Sequence, residues 1–248
     1  MNILINKLEM LFPKKDGRVL KSLFLRRGLS IKRRTLCSLA SLQAISDWDN
    51  LSTMLRVVIV NRKDVEVVYE VLLQGYLFCG YPRAIESFFC LENVLREKNI
   101  RLSRKMPILM VSSEKAMKRG KNLAKRINGS KFDKIYDKIS ALSPDLGYLM
   151  LVEGYGNILS RKTLDIKTRE LAVVASLSAS GANRQLNSHI RGALNVGCRA
   201  LEIREAILSG QPWVGKKAIL KSLMTWSKVT GLPATTEGIA GDIGIGGV

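Results

Sequence analysis

Residues 165–197 read DIKTRELAVVASLSASGANRQLNSHIRGALNVG, and this stretch decides the fold. Apolar side chains recur at helical spacing after Asp165, whose carboxylate can accept a hydrogen bond from the first turn as an N-cap. Gly181 is a natural helix end, because glycine readily adopts the left-handed conformation found there. A second apolar stripe begins at Leu186 and stops before Gly197. The stretch therefore predicts two consecutive helices.

The same pattern occurs twice in the chain. Residues 26–86 align without gaps to residues 161–221 at a constant offset of 135. Identical pairs at this offset include Arg26 with Arg161, Arg34 with Arg169, Glu70 with Glu205, Gly75 with Gly210, and Gly80 with Gly215. We interpret the halves as tandem copies of one helical unit. This interpretation gives a degenerate repeat in residues 1–104, a second domain in residues 105–234 and a flexible Gly-rich tail in residues 235–248.

Helical spacing extends through both copies, so the predicted fold class is all-α. In the first copy, helices are expected near Ser30–Ser46, Asp49–Asn61, Val65–Leu73 and Tyr81–Glu97. In the second copy, the two helices described above are followed by Ala200–Leu208 and Gly215–Val229. Only Pro107–Val111 is expected to be a short extended piece.

The charge of the chain is strongly positive, with a formal net charge of +19. Such an excess fits a nucleic-acid partner, an anionic membrane surface or acidic substrates. No aromatic residues interleave with the basic clusters and no nucleic-acid-binding motif is present, so a solvated basic surface is favoured over a nucleic-acid interface. No apolar run reaches membrane-spanning length, and Met1–Lys15 does not resemble a secretory signal. A cytoplasmic protein without a membrane partner is expected.

The four cysteines do not form a recognisable pattern. Cys37, Cys79, Cys90 and Cys198 are scattered without a Cys-x-x-Cys pair. This spacing does not favour a disulfide framework or a zinc site. We expect all four to be small apolar residues of the interior.

The order of motifs between Arg119 and Gly215 resembles the γ-carboxymuconolactone decarboxylase family. The residues that carry the resemblance are Arg119-Gly120, Ser143-Pro144-Asp145, Val152 to Gly156, Thr168 to Leu171, His189 to Gly197 and Glu202 to Leu208. The resemblance implies two tandem helical domains of the alkylhydroperoxidase D type. It also implies cofactor-free lyase or isomerase chemistry on a small acidic or lactone substrate, and assembly into homotrimers or hexamers.

The resemblance also implies a set of site residues. Loss of carbon dioxide requires a held carboxylate and a proton delivered to carbon. His189 is the only histidine, the residue type that suits proton delivery near neutral pH, and Glu170 can orient its ring. Arg161 and Arg191 are the candidate substrate-binding cations, because guanidinium pairs with carboxylate through two hydrogen bonds.

Each of these residues also has a structural interpretation. His189 and Glu170 can be satisfied core residues, with Glu170 paired to Arg169. Arg161 can form a structural salt bridge, and Arg191 is expected to point away from the imidazole because it lies two residues farther along the helix. The recurrence of Glu70 and Glu205 favours a structural helix contact.

Three alternative functions follow from the same residues. The first copy has Thr35 and Met54 where the second has Glu170 and His189, so a non-catalytic duplicated scaffold is one alternative. A basic nucleic-acid-binding protein is another. The third is an alkylhydroperoxidase-type antioxidant, which is disfavoured because Ala182 and Gln185 stand where that branch has its two cysteines.

Overall fold

A computed structural model describes residues 17–100 and 111–235. These residues form helices and turns and contain no strand, so the predicted all-α class is confirmed. The expected extended piece at residues 107–110, the N-terminal fifteen residues and the tail after Thr235 lie outside the described residues. The α-helices of the described residues are α1 (Gly17–Leu25), α2 (Ile31–Ala44), α3 (Trp48–Val58), α4 (Arg62–Cys79), α5 (Tyr81–Glu97), α6 (Ser113–Asn128), α7 (Phe132–Leu142), α8 (Pro144–Leu149), α9 (Ile166–Ser180), α10 (Asn183–Asn195), α11 (Ala200–Leu208) and α12 (Lys216–Thr230).

Local signals set the ends of the helix that carries Glu170. Asp165 accepts a hydrogen bond from the backbone N–H of Thr168 at 3.0 Å and caps the start of α9. Gly181 ends the helix with φ +73°, in the left-handed region. Both ends agree with the prediction.

Two helices form the centre of the molecule. Residues 34–44 of α2 and residues 168–178 of α9 are buried on all sides. A helix of this kind is covered by neighbours around its whole circumference. The Ser41 hydroxyl donates to the Ala175 carbonyl at 3.3 Å, so α2 and α9 lie directly against each other. The hydrophobic cluster around them is continuous and includes residues of both 135-offset segments.

Charged contacts between the two segments are reciprocal. Glu70 accepts from Arg161 at 2.9 Å and from Arg169 at 2.7 Å. At the positions shifted by 135, Glu205 pairs with Arg26 at 3.5 Å and with Arg34 at 2.6 Å. Each segment thus supplies the glutamate that neutralises the arginines of the other. Glu70 and Glu205 are structural helix contacts, as their recurrence indicated.

A wide helical segment follows α8 without a break. Residues 150–159 are π-helical, an arrangement that is rare and is frequent at functional sites. Helix α6 packs closely on it through glycines: a Cβ at Gly120 would collide with the Leu151 carbonyl oxygen, and one at Gly156 with the Ala116 carbonyl oxygen. These glycines fix the distance between α6 and the π-helical segment.

No helix within residues 17–100 and 111–235 combines the length and apolar character needed to cross a bilayer.

Candidate active site

Glu170 and His189 are hydrogen bonded to each other. Nδ1 of His189 lies 3.0 Å from Oε2 of Glu170, which joins the first half of α9 to the middle of α10. The Glu170 side chain is fully buried, and that of His189 is 11% exposed. An ionised carboxylate only accepts hydrogen bonds, so Nδ1 carries a hydrogen in this pair. This bond does not use the second ring nitrogen, Nε2.

The other carboxylate oxygen of Glu170 has no hydrogen-bond partner among the described residues. Oε1 is buried, whereas Oε2 holds the imidazole. Buried polar atoms without a partner are rare, because desolvation costs free energy that no new bond offsets. This atom is available for a group that enters the site.

Close neighbours shape the space around the pair. The Phe78 ring lies perpendicular to the imidazole, with 5.2 Å between ring centroids. Phe78 belongs to α4, in the first 135-offset segment, so both segments build this site. A Cβ at Gly192 would come within 3.0 Å of Glu170 Oε2, and glycine there keeps the carboxylate in position.

A buried tyrosine lies near Glu170. The Tyr155 hydroxyl, from the π-helical segment, accepts from the Asn128 side chain at 3.1 Å. Burial and the nearby Glu170 charge raise the pKa of Tyr155 to about 12, although the hydrogen bond from Asn128 lowers it. Tyr155 is therefore a neutral phenol near pH 7.

The two predicted substrate-binding arginines are bonded to other residues. Nε and Nη2 of Arg161 are held by Glu70, and the side chain is 8% exposed. Arg191 is exposed, and its Nε donates to Asn187 at 3.3 Å. The structure thus brings together the acid and the imidazole and gives both arginines other partners. The exposure of Arg191 agrees with its expected direction away from the imidazole.

The corresponding positions of the first segment are filled. Thr35 is buried and donates to the Ile31 carbonyl at 2.9 Å, and Met54 is fully buried. These positions hold no acid, base or exposed polar atom. The first segment contributes a wall to the site through Phe78, and its own equivalent position is packed.

The cysteines do not provide a reactive thiolate at this site. All four are free thiols. Cys37 and Cys198 are buried, as expected, whereas Cys79 and Cys90 are only half-buried. Burial raises the pKa of Cys37 and of Cys198 to about 12. Thiol peroxidases need the opposite shift.

Among the described residues, no group of three or more histidine, cysteine, aspartate or glutamate side chains is arranged to hold a metal ion.

Residues 148–226 match the family model of the carboxymuconolactone decarboxylase family. This segment is similar to that family. It contains Glu170, His189 and Tyr155, whereas Phe78 lies outside it. The family predicted from the motifs is therefore confirmed for the part of the chain that holds the pair.

Three curated relatives are similar to parts of this chain. Peroxisomal protein 2 of Saccharomyces cerevisiae is 35% identical over 66 residues, 26% of this chain and 23% of that protein. Peroxisomal protein 2 of Schizosaccharomyces pombe is 27% identical over 142 residues, 55% of this chain and 63% of that protein. Nitrosuccinic acid decarboxylase npaB of Metarhizium robertsii is 32% identical over 74 residues, 30% of this chain and 52% of that protein. The chain spans less than two thirds of each relative.

Proposed function

We propose that this chain is a cofactor-free decarboxylase of a small carboxylic acid or lactone acid. The observation that carries the proposal is the 3.0 Å bond between fully buried Glu170 and partly exposed His189. The decarboxylase family of residues 148–226 and the activity in the name of the Metarhizium relative support it.

The proposed reaction has two steps. The bond between the substrate carbon and its carboxylate breaks, carbon dioxide leaves, and the electron pair stays on the substrate carbon. His189 Nε2–H then donates its proton to that carbon and is reprotonated from solvent. While Nε2 holds the proton, the ring is an imidazolium. The Glu170 carboxylate, bonded to Nδ1, balances this charge and keeps the ring oriented. Phe78 limits the ring's movement and shields it from water.

The cation that holds a substrate carboxylate is also part of the proposal. Arg161 and Arg191 remain the candidates. The bonds from Arg161 to Glu70 use Nε and Nη2, which leaves Nη1 for a ligand. Arg191 is exposed and needs to turn away from Asn187 to reach one.

Turnover by matched variants tests the proposal. The substrates are γ-carboxymuconolactone and nitrosuccinic acid, and the readout is carbon dioxide release, with deuterium incorporation into the product in D2O. His189→Gln and Glu170→Gln should lower kcat by about 100-fold or more, the usual contribution of a positioned proton donor. Arg184→Gln, an exposed change on the same helix, is the control and should stay within about twofold of wild type.

Two results would contradict the proposal. One is full turnover by His189→Gln with an unchanged circular-dichroism spectrum. The other is a wild-type protein that releases no carbon dioxide from either acid, which would favour the non-catalytic scaffold.

We also propose that residues 1–104 and 105–234 descend from one duplicated unit. The reciprocal pairing of Glu70 and Glu205 with arginines offset by 135 supports this origin. The positions of Thr35 and Met54 make the first unit the degenerate one.

Assembly into trimers or hexamers is a further part of the proposal. Helix α5 exposes Tyr81, Ile85 and Phe89, which are four residues apart and therefore share one face. Light-scattering mass in solution tests this, and a monomer at high concentration would contradict it.

The compartment also stays a proposal. The cytoplasm is our expectation, and two relatives are named as peroxisomal proteins. Imaging of the tagged full chain distinguishes the two locations.

A further inference from the structure

A cleft of about 810 Å³ lies between α6 and the end of the π-helical segment. Its cationic side chains are Arg119, Arg126, Arg161 and Lys162, and its neutral polar side chains include Asn122 and Asn157. Clefts that hold small molecules usually have volumes of about 300–1,000 Å³. Neither Glu170 nor His189 lines it.

Among the residues that the structure describes, no carboxylate lines the cleft, so its positive charge is not balanced within the lining. Within residues 17–100 and 111–235, Arg119, Arg126 and Lys162 form no ion pair, and Arg161 shares Glu70 with a second arginine. Among the described residues, the shared carboxylate of Glu70 is therefore the one ionic partner of these four cations. Cations held together in a cleft repel one another, and an anion that enters removes this repulsion.

One of the four cations, Arg161, is held in place before any ligand arrives, whereas Arg119, Arg126 and Lys162 are exposed. The bonds to Glu70 fix the Arg161 guanidinium, and Nη1 is not used by them. Arg119 and Arg126 are seven residues apart on α6, so they lie on the same side of it. Because Gly120 has no side chain, this helix packs closely against the π-helical segment. The backbone of α6 and the Arg161 guanidinium therefore need no rearrangement for binding, whereas the three exposed side chains lose conformational freedom when an anion binds.

We propose that this cleft binds a small molecule that carries two phosphate groups. Two phosphates carry about three to four negative charges near neutral pH, which matches four cations and one shared carboxylate. Guanidinium groups bind phosphate oxygens through paired hydrogen bonds. The described part of the chain places no aromatic residue in the lining, which argues against the stacking surface of a single-stranded nucleic-acid site. Neither Glu170 nor His189 lines the cleft, and binding there needs no turnover; Arg161 is the one residue that the cleft shares with the cations proposed above to hold a substrate carboxylate.

Calorimetry on the full chain with inorganic pyrophosphate tests the site. The double variant Arg119→Gln/Arg126→Gln should weaken binding by about tenfold or more, because two charge-assisted contacts are lost. The control is Lys118→Gln/Lys121→Gln, which removes two exposed charges from the same helix outside the cleft. It should change the affinity by less than about twofold, since exposed charges at a distance are screened by salt.

Four results would overturn the assignment. They are no pyrophosphate binding by the wild-type chain at low salt, equal weakening by both double variants, tighter binding of citrate than of pyrophosphate, and displacement of pyrophosphate by single-stranded RNA at lower concentration than by ADP. Binding is measured without turnover, so its failure and the failure of the proposed decarboxylase are separate results.

Discussion

Replacement of Glu70 by glutamine should destabilise the protein strongly. Oε2 of Glu70 lies 2.7 Å from Nη2 of Arg169, and Oε1 lies 2.9 Å from Nη2 of Arg161; the three side chains are 1%, 0% and 8% exposed. With an effective dielectric constant of about 20, unit charges at 2.7 Å attract by about 6 kcal/mol. Burial of the charges offsets part of this attraction. Loss of one partner from a buried pair typically costs about 3–5 kcal/mol, because the remaining charge stays buried without compensation.

The assay is urea unfolding followed by circular dichroism and by tryptophan fluorescence, whose coincidence supports a two-state treatment. With an m-value of about 3 kcal/mol per molar urea, Glu70→Gln should lower the midpoint by about 1–1.7 M. Glu205→Gln, at the position offset by 135, should have a similar effect, because Arg34 and Arg26 face it.

A surface pair provides the matched control. Arg56 and Glu97 are bonded at 2.7 Å, but their side chains are 37% and 48% exposed. Glu97→Gln should leave the midpoint close to that of wild type, because solvent screens the lost charge. If Glu70→Gln and Glu97→Gln shift the midpoint equally, the assignment of the Glu70 contacts as a strong stabilising connection between the segments is refuted.

Two further changes test smaller features. Gly192→Ala places a Cβ 2.7 Å from Ile127 Cγ2 and 3.0 Å from Glu170 Oε2. Overpacking should lower the free energy of unfolding by roughly 1–3 kcal/mol, and displacement of the carboxylate should also lower kcat of the folded variant. An unchanged kcat at temperatures where the variant is folded would contradict this. At Asp165, partial burial raises the carboxyl pKa, but hydrogen bonds from Thr168 and other groups together leave it below its usual value. Its contribution is therefore present above about pH 4 and is lost as the pH falls through the folded pKa. Asp165→Asn should flatten the fall of the urea midpoint between about pH 5 and 2, and an unaltered acid profile would count against it.

Helix ends with local signals were predictable from the sequence. Tyr81–Glu97 and Ala200–Leu208 have the predicted bounds, because a turn glycine or a local cap marks their ends. The predicted helix Val65–Leu73 was too short, since α4 runs from Arg62 to Cys79. Gly75 follows the predicted helix but lies inside α4, where any Cβ would collide with the Gln43 side chain. Sequence alone does not distinguish a glycine needed for close packing from one that ends a helix.

The candidate site was predictable only in part. The adjacency of Glu170 and His189 follows from two successive helices with inward-facing residues, and their catalytic role stays a prediction. Phe78 reaches His189 from a helix about 110 residues earlier in the chain, and periodicity within one segment carries no information about such a contact. The π-helical segment was missed for a similar reason, because its wide turns do not follow the 3.6-residue repeat.

The exchange of charges between the two segments has a consequence for folding during synthesis. Arg34 and Glu70 are made early, but their partners in the folded protein are Glu205 and Arg161 with Arg169. At about 5–20 residues per second, the ribosome needs about 7–27 s to advance the 135 residues from Glu70 to Glu205. The N-terminal segment therefore cannot complete its native charge pairing until most of the chain has been synthesised. Ribosome-bound chains stopped before residue 160 should stay protease-sensitive, whereas chains stopped well beyond residue 230 should be protected.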